Sequence, residues 1–148
     1  MKLKILKKTP TIYGSLINVF MDILTQRAGW LESLAAIKGL KPRSISGFIS
    51  ALTIAIIYFQ RLRQFGETQA RADAKFVTRD FEIIPLTRQI VFEALDSSLP
   101  DFEDNIQFFS AKTMQVDYII TRNKKHFNQK EIPVVTPVEF LKIIGILK

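Results

Sequence analysis

The sequence predicts an α/β domain built around a parallel sheet of four or five strands. Short apolar runs rich in β-branched residues alternate with segments of helical periodicity, and this alternation is typical of βαβ units. No repeat, low-complexity tract or Gly/Ser linker interrupts the 148 residues. Because a chain of this length fits one compact domain, we expect residues 1–148 to form a single domain.

The predicted strands are short apolar runs placed between helical segments. In chain order they are Ser15–Phe20, Ser46–Ile49, Phe81–Ile84, Tyr118–Thr121 and Val134–Val135. The first run is the weakest of the five, and the fourth is the clearest.

The predicted helices follow from apolar spacings of three and four residues. They cover Asp22–Lys38 with a division at Ala28-Gly29, Ala51–Phe65, Glu67–Thr78, Leu86–Leu95, Phe102–Met114 and Pro137–Leu147. Ala51–Phe65 is apolar on nearly every side up to Gln60, which predicts a helix buried against the sheet. Glu67–Thr78 is polar and is expected at the surface.

Composition limits the possible chemistry. The chain has no cysteine, which excludes disulfides, thiolate metal sites and a cysteine nucleophile. The formal net charge of +7 favours polyanionic partners such as nucleic acid, although a basic soluble protein without such a partner fits equally. No signal peptide follows the basic start, and Phe48–Phe59 is too short to cross a bilayer. We therefore predict a cytoplasmic protein.

Three segments that follow or precede predicted strands carry polar chemistry: Asn18–Asp22, Asp101–Asp104 and Thr121–Asn123. Ligands of an open parallel sheet gather where the strands end, so these segments are candidates for one site. The acidic run Asp101-Phe102-Glu103-Asp104 allows two interpretations, a metal site or a helix cap. Its carboxylates suit Mg²⁺ and a metal-activated water, but Asp101 and Asp104 also have the spacing of a helix cap.

Three pieces of the C-terminal half resemble a known family in their order and spacing. They are Asp101-Phe102-Glu103-Asp104, Thr121-Arg122-Asn123-Lys124-Lys125-His126-Phe127 and Thr136-Pro137-Val138-Glu139-Phe140. Together they resemble bacterial PIN domains of the VapC-like kind. In the N-terminal half, Asn18-Val19-Phe20 and Ile49-Ser50-Ala51-Leu52 resemble the same family in the expected order.

The resemblance implies a three-layer α/β/α fold and cleavage of RNA with Mg²⁺ or Mn²⁺ as cofactor. It further implies the toxin half of a toxin-antitoxin pair, with RNA and an antitoxin protein as partners and a homodimer as the assembly. Carried over by position, Asp104 and Asp101 would bind the metal. The catalytic residues would be Asp104, Asp101, Asn123 and Thr121, all in the same pocket. Asn18 and Asp22 would support that pocket, and Arg122, Lys124 and Lys125 would contact the RNA.

Three positions depart from the family pattern. Leu16 stands where the family has the Asp of its first strand, Ile56 falls where an acid or amide is expected, and His126 replaces an Asp. A leucine cannot replace an oxygen ligand of a metal. Two hypotheses therefore stay open: a metal-dependent endoribonuclease, or a catalytically impaired PIN fold that binds RNA or a protein.

The remaining conspicuous residues have structural alternatives. Arg71, Lys75 and Arg79 recur at four-residue spacing and form either a track for phosphates or an ordinary solvated face. His126 is the only histidine and is expected to be a loop residue. Trp30 and the pair Phe108-Phe109 fit packing better than base stacking, because they lie within helical patterns.

Overall fold

The computed structural model describes residues 11–14, 17–127 and 130–148. Its strands are β1 (Thr11–Gly14), β2 (Ser46–Ser50), β3 (Glu82–Ile84), β4 (Tyr118–Ile120) and β5 (Val134–Val135). The α-helices of these described ranges are α1 (Ile17–Thr25), α2 (Trp30–Lys38), α3 (Ala51–Phe65), α4 (Glu67–Thr78), α5 (Arg88–Asp96), α6 (Phe102–Thr113) and α7 (Pro137–Ile143).

The five strands form one parallel sheet in the order β3-β2-β1-β4-β5. Ile12 of β1 pairs with Gly47 on one side and with Tyr118 on the other. Because every pairing is parallel, all the strands end at the same side of the sheet, here called the carboxyl edge. The predicted α/β class with a parallel sheet is confirmed.

Adjacent residues of each strand face opposite sides of the sheet, as strand geometry requires. Ile49, Ile120 and Val135 pack into one buried cluster, with Phe20 and Phe140 from the helices on that face. The preceding residues Phe48, Ile119 and Val134 pack into a second cluster, with Ile90 of α5 and Ile106 of α6. The sheet is therefore covered on both faces, which confirms the three-layer α/β/α arrangement.

The predicted first strand, Ser15–Phe20, is wrong. The strand lies earlier, at Thr11–Gly14, and Ile17–Thr25 is helical. The apolar residues of this stretch fit a helix, because Ile17, Phe20, Met21 and Leu24 recur at spacings of three and four. Ser15 and Leu16, which include the departure at position 16, lie outside the described residues.

Helix α3 has the predicted bounds, but only part of it is buried. Thr53, Ile57 and Arg61 are buried, whereas Phe59 and Phe65 are exposed. The second half of α3 packs on α4 instead of the sheet, and the Arg61 guanidinium lies 2.5 Å from the Asp73 carboxylate across that contact. The predicted burial against the sheet therefore holds for the first half of α3, where Ile57 packs in the cluster of Ile49 and Ile120, and not for the second half.

The other helices match their predicted positions to within a few residues. The last helix ends at Ile143 instead of Leu147, because Gly145 adopts a φ of 81° that an α-helix does not accommodate. Within the described ranges, no helix combines the length and the apolar character needed to span a membrane.

Candidate functional site

The centre of the candidate site follows β4 at the carboxyl edge. Thr121 is buried, and its Oγ1 accepts a hydrogen bond of 3.1 Å from the backbone N–H of Asn123. A short 3₁₀ turn, Lys124–His126, comes next. The hydroxyl of Thr121 thus shapes the turn that presents Arg122, Asn123 and Lys125 at the end of a central strand.

Asp22 of α1 anchors two arginines at this edge. Its side chain is 0% exposed, and its Oδ2 accepts a hydrogen bond of 2.5 Å from Nη1 of Arg122. Nε of Arg27 lies 3.3 Å from Oδ1, which makes no hydrogen bond within the described part of the chain. The side chains of Arg122 and Arg27 are 46% and 52% exposed. The buried carboxylate therefore binds Arg122 and lies near Arg27, whose Nε donates a hydrogen bond of 3.1 Å to Oγ1 of Thr25. We call Asp22, Arg27 and Arg122 the arginine clamp.

The acidic run lies at the start of α6. This helix leads into β4 and runs against the strand direction, so its N-terminus reaches the carboxyl edge. Oδ1 of Asp101 accepts the backbone N–H of Asp104 at 3.0 Å, which is the helix cap that the spacing allowed. Oδ2 of Asp104 lies 2.8 Å from Nδ1 of His126. Asp101 is thus occupied in part by the cap, and Asp104 is paired with the only histidine of the chain.

The pKa values of two acids in this run, Glu103 and Asp104, are raised. Burial, followed by the charges of Asp101 and Asp104, raises the pKa of Glu103 above its ordinary value. Burial and the charge of Asp101 also raise the pKa of Asp104, while the hydrogen bond to His126 opposes this shift. Burial and mutual repulsion therefore disfavour the charged forms of Glu103 and Asp104, and the hydrogen bond to His126 offsets part of this effect at Asp104.

Three further predicted residues, Lys124, Lys125 and Asn18, lie outside the contact between Asp104 and His126. Nζ of Lys124 lies 3.1 Å from both carboxylate oxygens of Glu139 in α7. The backbone N–H of Thr136, followed by Lys124, lowers the pKa of Glu139. Lys125 is exposed, and so is Asn18 in the first turn of α1. Lys124 thus serves an ion pair, whereas Lys125 and Asn18 face solvent at the carboxyl edge.

The residues present do not fit a divalent metal ion. Ile56 of α3 offers no oxygen, and position 16 is a leucine. Asp22 already has two cationic neighbours, and Asp104 is paired with His126. Across the ranges that the structure describes, no three acidic, histidine or cysteine side chains are grouped to hold a metal. A metal centre needs an excess of carboxylates, whereas at the carboxyl edge the carboxylate of Asp22 is already balanced by two arginines.

Sequence reasoning missed the roles of Arg27 and Glu139. Arg27 follows Asp22 by five residues just beyond the end of α1, a spacing with no motif attached to it. Glu139 carried a signal that was readable, because Thr136 and Glu139 form the capping box of α7. The pairing of Lys124 with Glu139 could not be predicted from the sequence, because β5 separates the two residues in the chain and only the folded structure brings them together.

The sheet order and the helices on both faces define the class of the protein as a three-layer α/β/α domain with an open parallel sheet. A model of the PIN domain family matches residues 17–125, well over half of the chain. The chain belongs to the PIN domain family. A comparison with curated proteins finds no match.

Solved structures with the same fold include three toxin-antitoxin proteins. A toxin-antitoxin complex from Klebsiella pneumoniae matches with a TM-score of 0.63 and 22% identity, covering 86% of this chain and 97% of its own. VapBC2 from Rickettsia felis, bound to a DNA fragment from its promoter, has a TM-score of 0.59 and 14% identity, covering 85% and 96%. Mycobacterium tuberculosis VapC20, a toxin that cleaves the sarcin-ricin loop, has a TM-score of 0.58 and 13% identity, covering 73% and 86%. At these low sequence identities the comparisons show a shared fold, and they do not assign an activity or a partner to this chain.

Proposed function

We propose that this protein is a PIN-fold module that binds RNA through the arginine clamp and does not cleave it with a metal ion. The observation that carries the proposal is the pairing of the buried Asp22 with Arg122 and Arg27 at the carboxyl edge. In this position the clamp offers positive charge, and the neighbouring residues that the structure describes do not assemble a metal centre.

Guanidinium groups suit this task because they donate several hydrogen bonds in one plane and match the geometry of a phosphate. Hydrogen bonds restrict both side chains, since Arg122 donates to Asp22 and Nε of Arg27 donates to Oγ1 of Thr25, so less conformational entropy is lost when a phosphate binds. The net charge of +7 and the exposed Lys125 favour the same partner. Single-stranded or looped RNA is the expected form, because its backbone and bases are both accessible.

A metal-dependent endoribonuclease of a toxin-antitoxin system is the alternative. Membership of the PIN domain family supports it, and so do Asp104 and Asp101 at the carboxyl edge. In this alternative Mg²⁺ or Mn²⁺ would activate a water molecule for attack on the phosphodiester. The two functions differ in whether RNA is cut and whether a divalent ion is needed.

A protein partner is a second part of the proposal. Two of the similar solved structures contain an antitoxin together with the toxin. The exposed Phe59 and Phe65 of α3 are apolar side chains available for such a contact, or for a contact with a second copy of the chain. Molar mass measured by light scattering, with and without the product of a neighbouring small reading frame, tests for the antitoxin and the homodimer.

RNA affinity measured against salt tests the clamp. With three phosphate contacts, from Arg122, Arg27 and Lys125, the logarithm of the binding constant should fall against the logarithm of salt concentration with a slope of about −2. The double variant Asp22→Asn/Arg122→Gln leaves the net charge unchanged, because it removes one charge of each sign. It should bind more weakly, with a slope about 0.7 less steep.

Arg79→Gln is the matched control. Arg79 ends α4 just before β3 begins, at the opposite edge of the sheet, and it lies 3.8 Å from Asp80. This variant lowers the net charge by one but should leave the affinity nearly unchanged. If Arg79→Gln weakens binding as much as the double variant, the clamp is not the binding site.

A further inference from the structure

A cavity of about 310 Å³ lies between the loop that precedes α6 and the turn that follows β4. Among the described residues, Leu99, Pro100 and Asp101 line one side, and Lys125 and His126 line the other. Its volume falls at the lower end of the range of about 300–1,000 Å³ in which small ligands bind. Leu99 and Pro100 supply apolar surface, while Asp101 and Lys125 supply one charge of each sign.

Hydrogen bonds within the protein hold the cavity in shape. The buried Asn105 donates from Nδ2 to the carbonyl of Leu99 at 2.9 Å, which fixes the loop before α6. The capping bond fixes Asp101, and the contact with Asp104 fixes the His126 ring. The site is thus formed before any ligand arrives, which lowers the entropic cost of binding.

We propose that this cavity binds a guanine base. Imidazole rings stack on nucleobases, and single-stranded RNA is read through the Watson–Crick edges of splayed bases. Asp101 retains Oδ2 and further lone pairs as acceptors, because its cap bond uses Oδ1. Guanine offers two neighbouring donors on its Watson–Crick edge that match a carboxylate, and its O6 and N7 accept from a lysine such as Lys125.

The assignment rests on the proposed function, because the base would belong to the RNA that the clamp holds. Lys125 follows Arg122 by three residues, so their Cα atoms are at most about 11 Å apart. A strand whose phosphate contacts Arg122 can therefore place a base in the cavity. The clamp would supply affinity without regard to sequence, and the cavity would supply the preference for guanine.

His126 gives a direct readout, because it is the only histidine and its imidazole proton signals in NMR spectra need no assignment. The protein is titrated with the 5′-monophosphates of guanosine, adenosine, cytidine and uridine, and with inorganic phosphate. The guanosine nucleotide should shift the His126 signals with an affinity at least about fivefold above the other three. Inorganic phosphate should leave these signals in place.

An RNA arm uses a short adenosine oligomer and the same oligomer with one central guanosine. The wild type should prefer the second by about five-fold or more. Asp101→Asn should abolish this preference while keeping the fold, since Asn caps a helix as well as Asp does. Glu103→Gln removes a neighbouring charge that does not line the cavity, and it should keep the preference.

The two proposals fail in different ways. Salt-dependent RNA binding with no preference for guanosine, or with a preference that survives Asp101→Asn, overturns the guanine site and leaves the clamp standing. A guanosine nucleotide that binds at His126 while RNA does not bind overturns the RNA proposal and keeps a site for a free guanine nucleotide. Equal responses of His126 to all four nucleotides also overturn the guanine site.

Discussion

Replacing Arg122 with glutamine removes the cation that is hydrogen-bonded to a fully buried carboxylate. Asp22 keeps Arg27 as its remaining cationic neighbour, 3.3 Å from Oδ1. Breaking a buried ion pair by removing one partner costs about 3–5 kcal/mol. Because Arg27 stays in place, we expect the lower end of that range, about 3 kcal/mol.

Replacing Asp22 with asparagine should cost less. The two guanidinium groups are about half exposed and can be hydrated once the carboxylate is gone. The loss is then that of a charge-assisted hydrogen bond, about 1.5 kcal/mol. Removing the cation from the buried anion is therefore more costly than neutralising the anion.

Urea denaturation followed by the fluorescence of Trp30, the only tryptophan, measures these free energies. For a chain of this size the expected losses correspond to thermal midpoints lower by about 6–12 °C for Arg122→Gln and about 3–6 °C for Asp22→Asn. The double variant should be more stable than Arg122→Gln alone, since no unpaired charge stays buried. If Asp22→Asn is the more damaging single change, or if the two losses simply add, the pairing of a buried anion with exposed cations is refuted.

Three further changes test other parts of the structure. Asp73→Asn leaves Arg61, whose side chain is 6% exposed, without its carboxylate partner. This variant should lower the free energy of unfolding in urea by about 3–5 kcal/mol. Glu67→Gln, in the exposed pair with Arg71, is the control and should barely change the midpoint of unfolding. Gly47→Ala would place a Cβ 2.8 Å from the ring of Phe81, so it should destabilise by about 1–3 kcal/mol while RNA affinity stays unchanged. Because the pKa of Glu103 is raised, the folded chain binds the proton of this carboxyl more tightly than the unfolded chain does. The protonated carboxyl therefore adds stability at a pH below the ordinary pKa of Glu, and this stability is lost as the pH rises through the raised pKa. Glu103→Gln should accordingly have a higher thermal midpoint than the wild type at pH 7 and nearly the same midpoint at pH 4, and a constant difference across this range would contradict the shift.

Much of the fold could be read from local patterns. The bounds of α3 and α4 follow from a helical period ended by Gly66, and β5 follows from two apolar residues before the Thr-Pro start of α7. The first strand could not be placed this way, because the four residues Thr11–Gly14 end in a glycine and precede a more apolar helix. A short strand that is stabilised by pairing on both sides leaves little trace in its own sequence.

The candidate site was predictable as a location and not as a set of contacts. Parallel strands indicate where polar residues gather, and the segments around Asp22, Asp104 and Asn123 were chosen on that ground. The ion pair between Asp22 and Arg122 joins residues 100 positions apart, and the hydrogen-bonded contact between Asp104 and His126 joins residues 22 positions apart. Such pairs depend on helix orientation and side-chain rotamers, which no spacing in one sequence encodes.

Metal-independent binding by the arginine clamp is tested by measuring RNA binding and RNA integrity together, in chelator and in Mn²⁺. A fluorescent single-stranded RNA is titrated with the protein by anisotropy, and each sample is then run on a denaturing gel. If the arginine clamp binds phosphates without a metal, the affinity should be the same in both buffers and the RNA should stay intact. RNA that binds only with Mn²⁺, or that is cut in Mn²⁺ and protected by chelator, would contradict this account and support the metal-dependent nuclease.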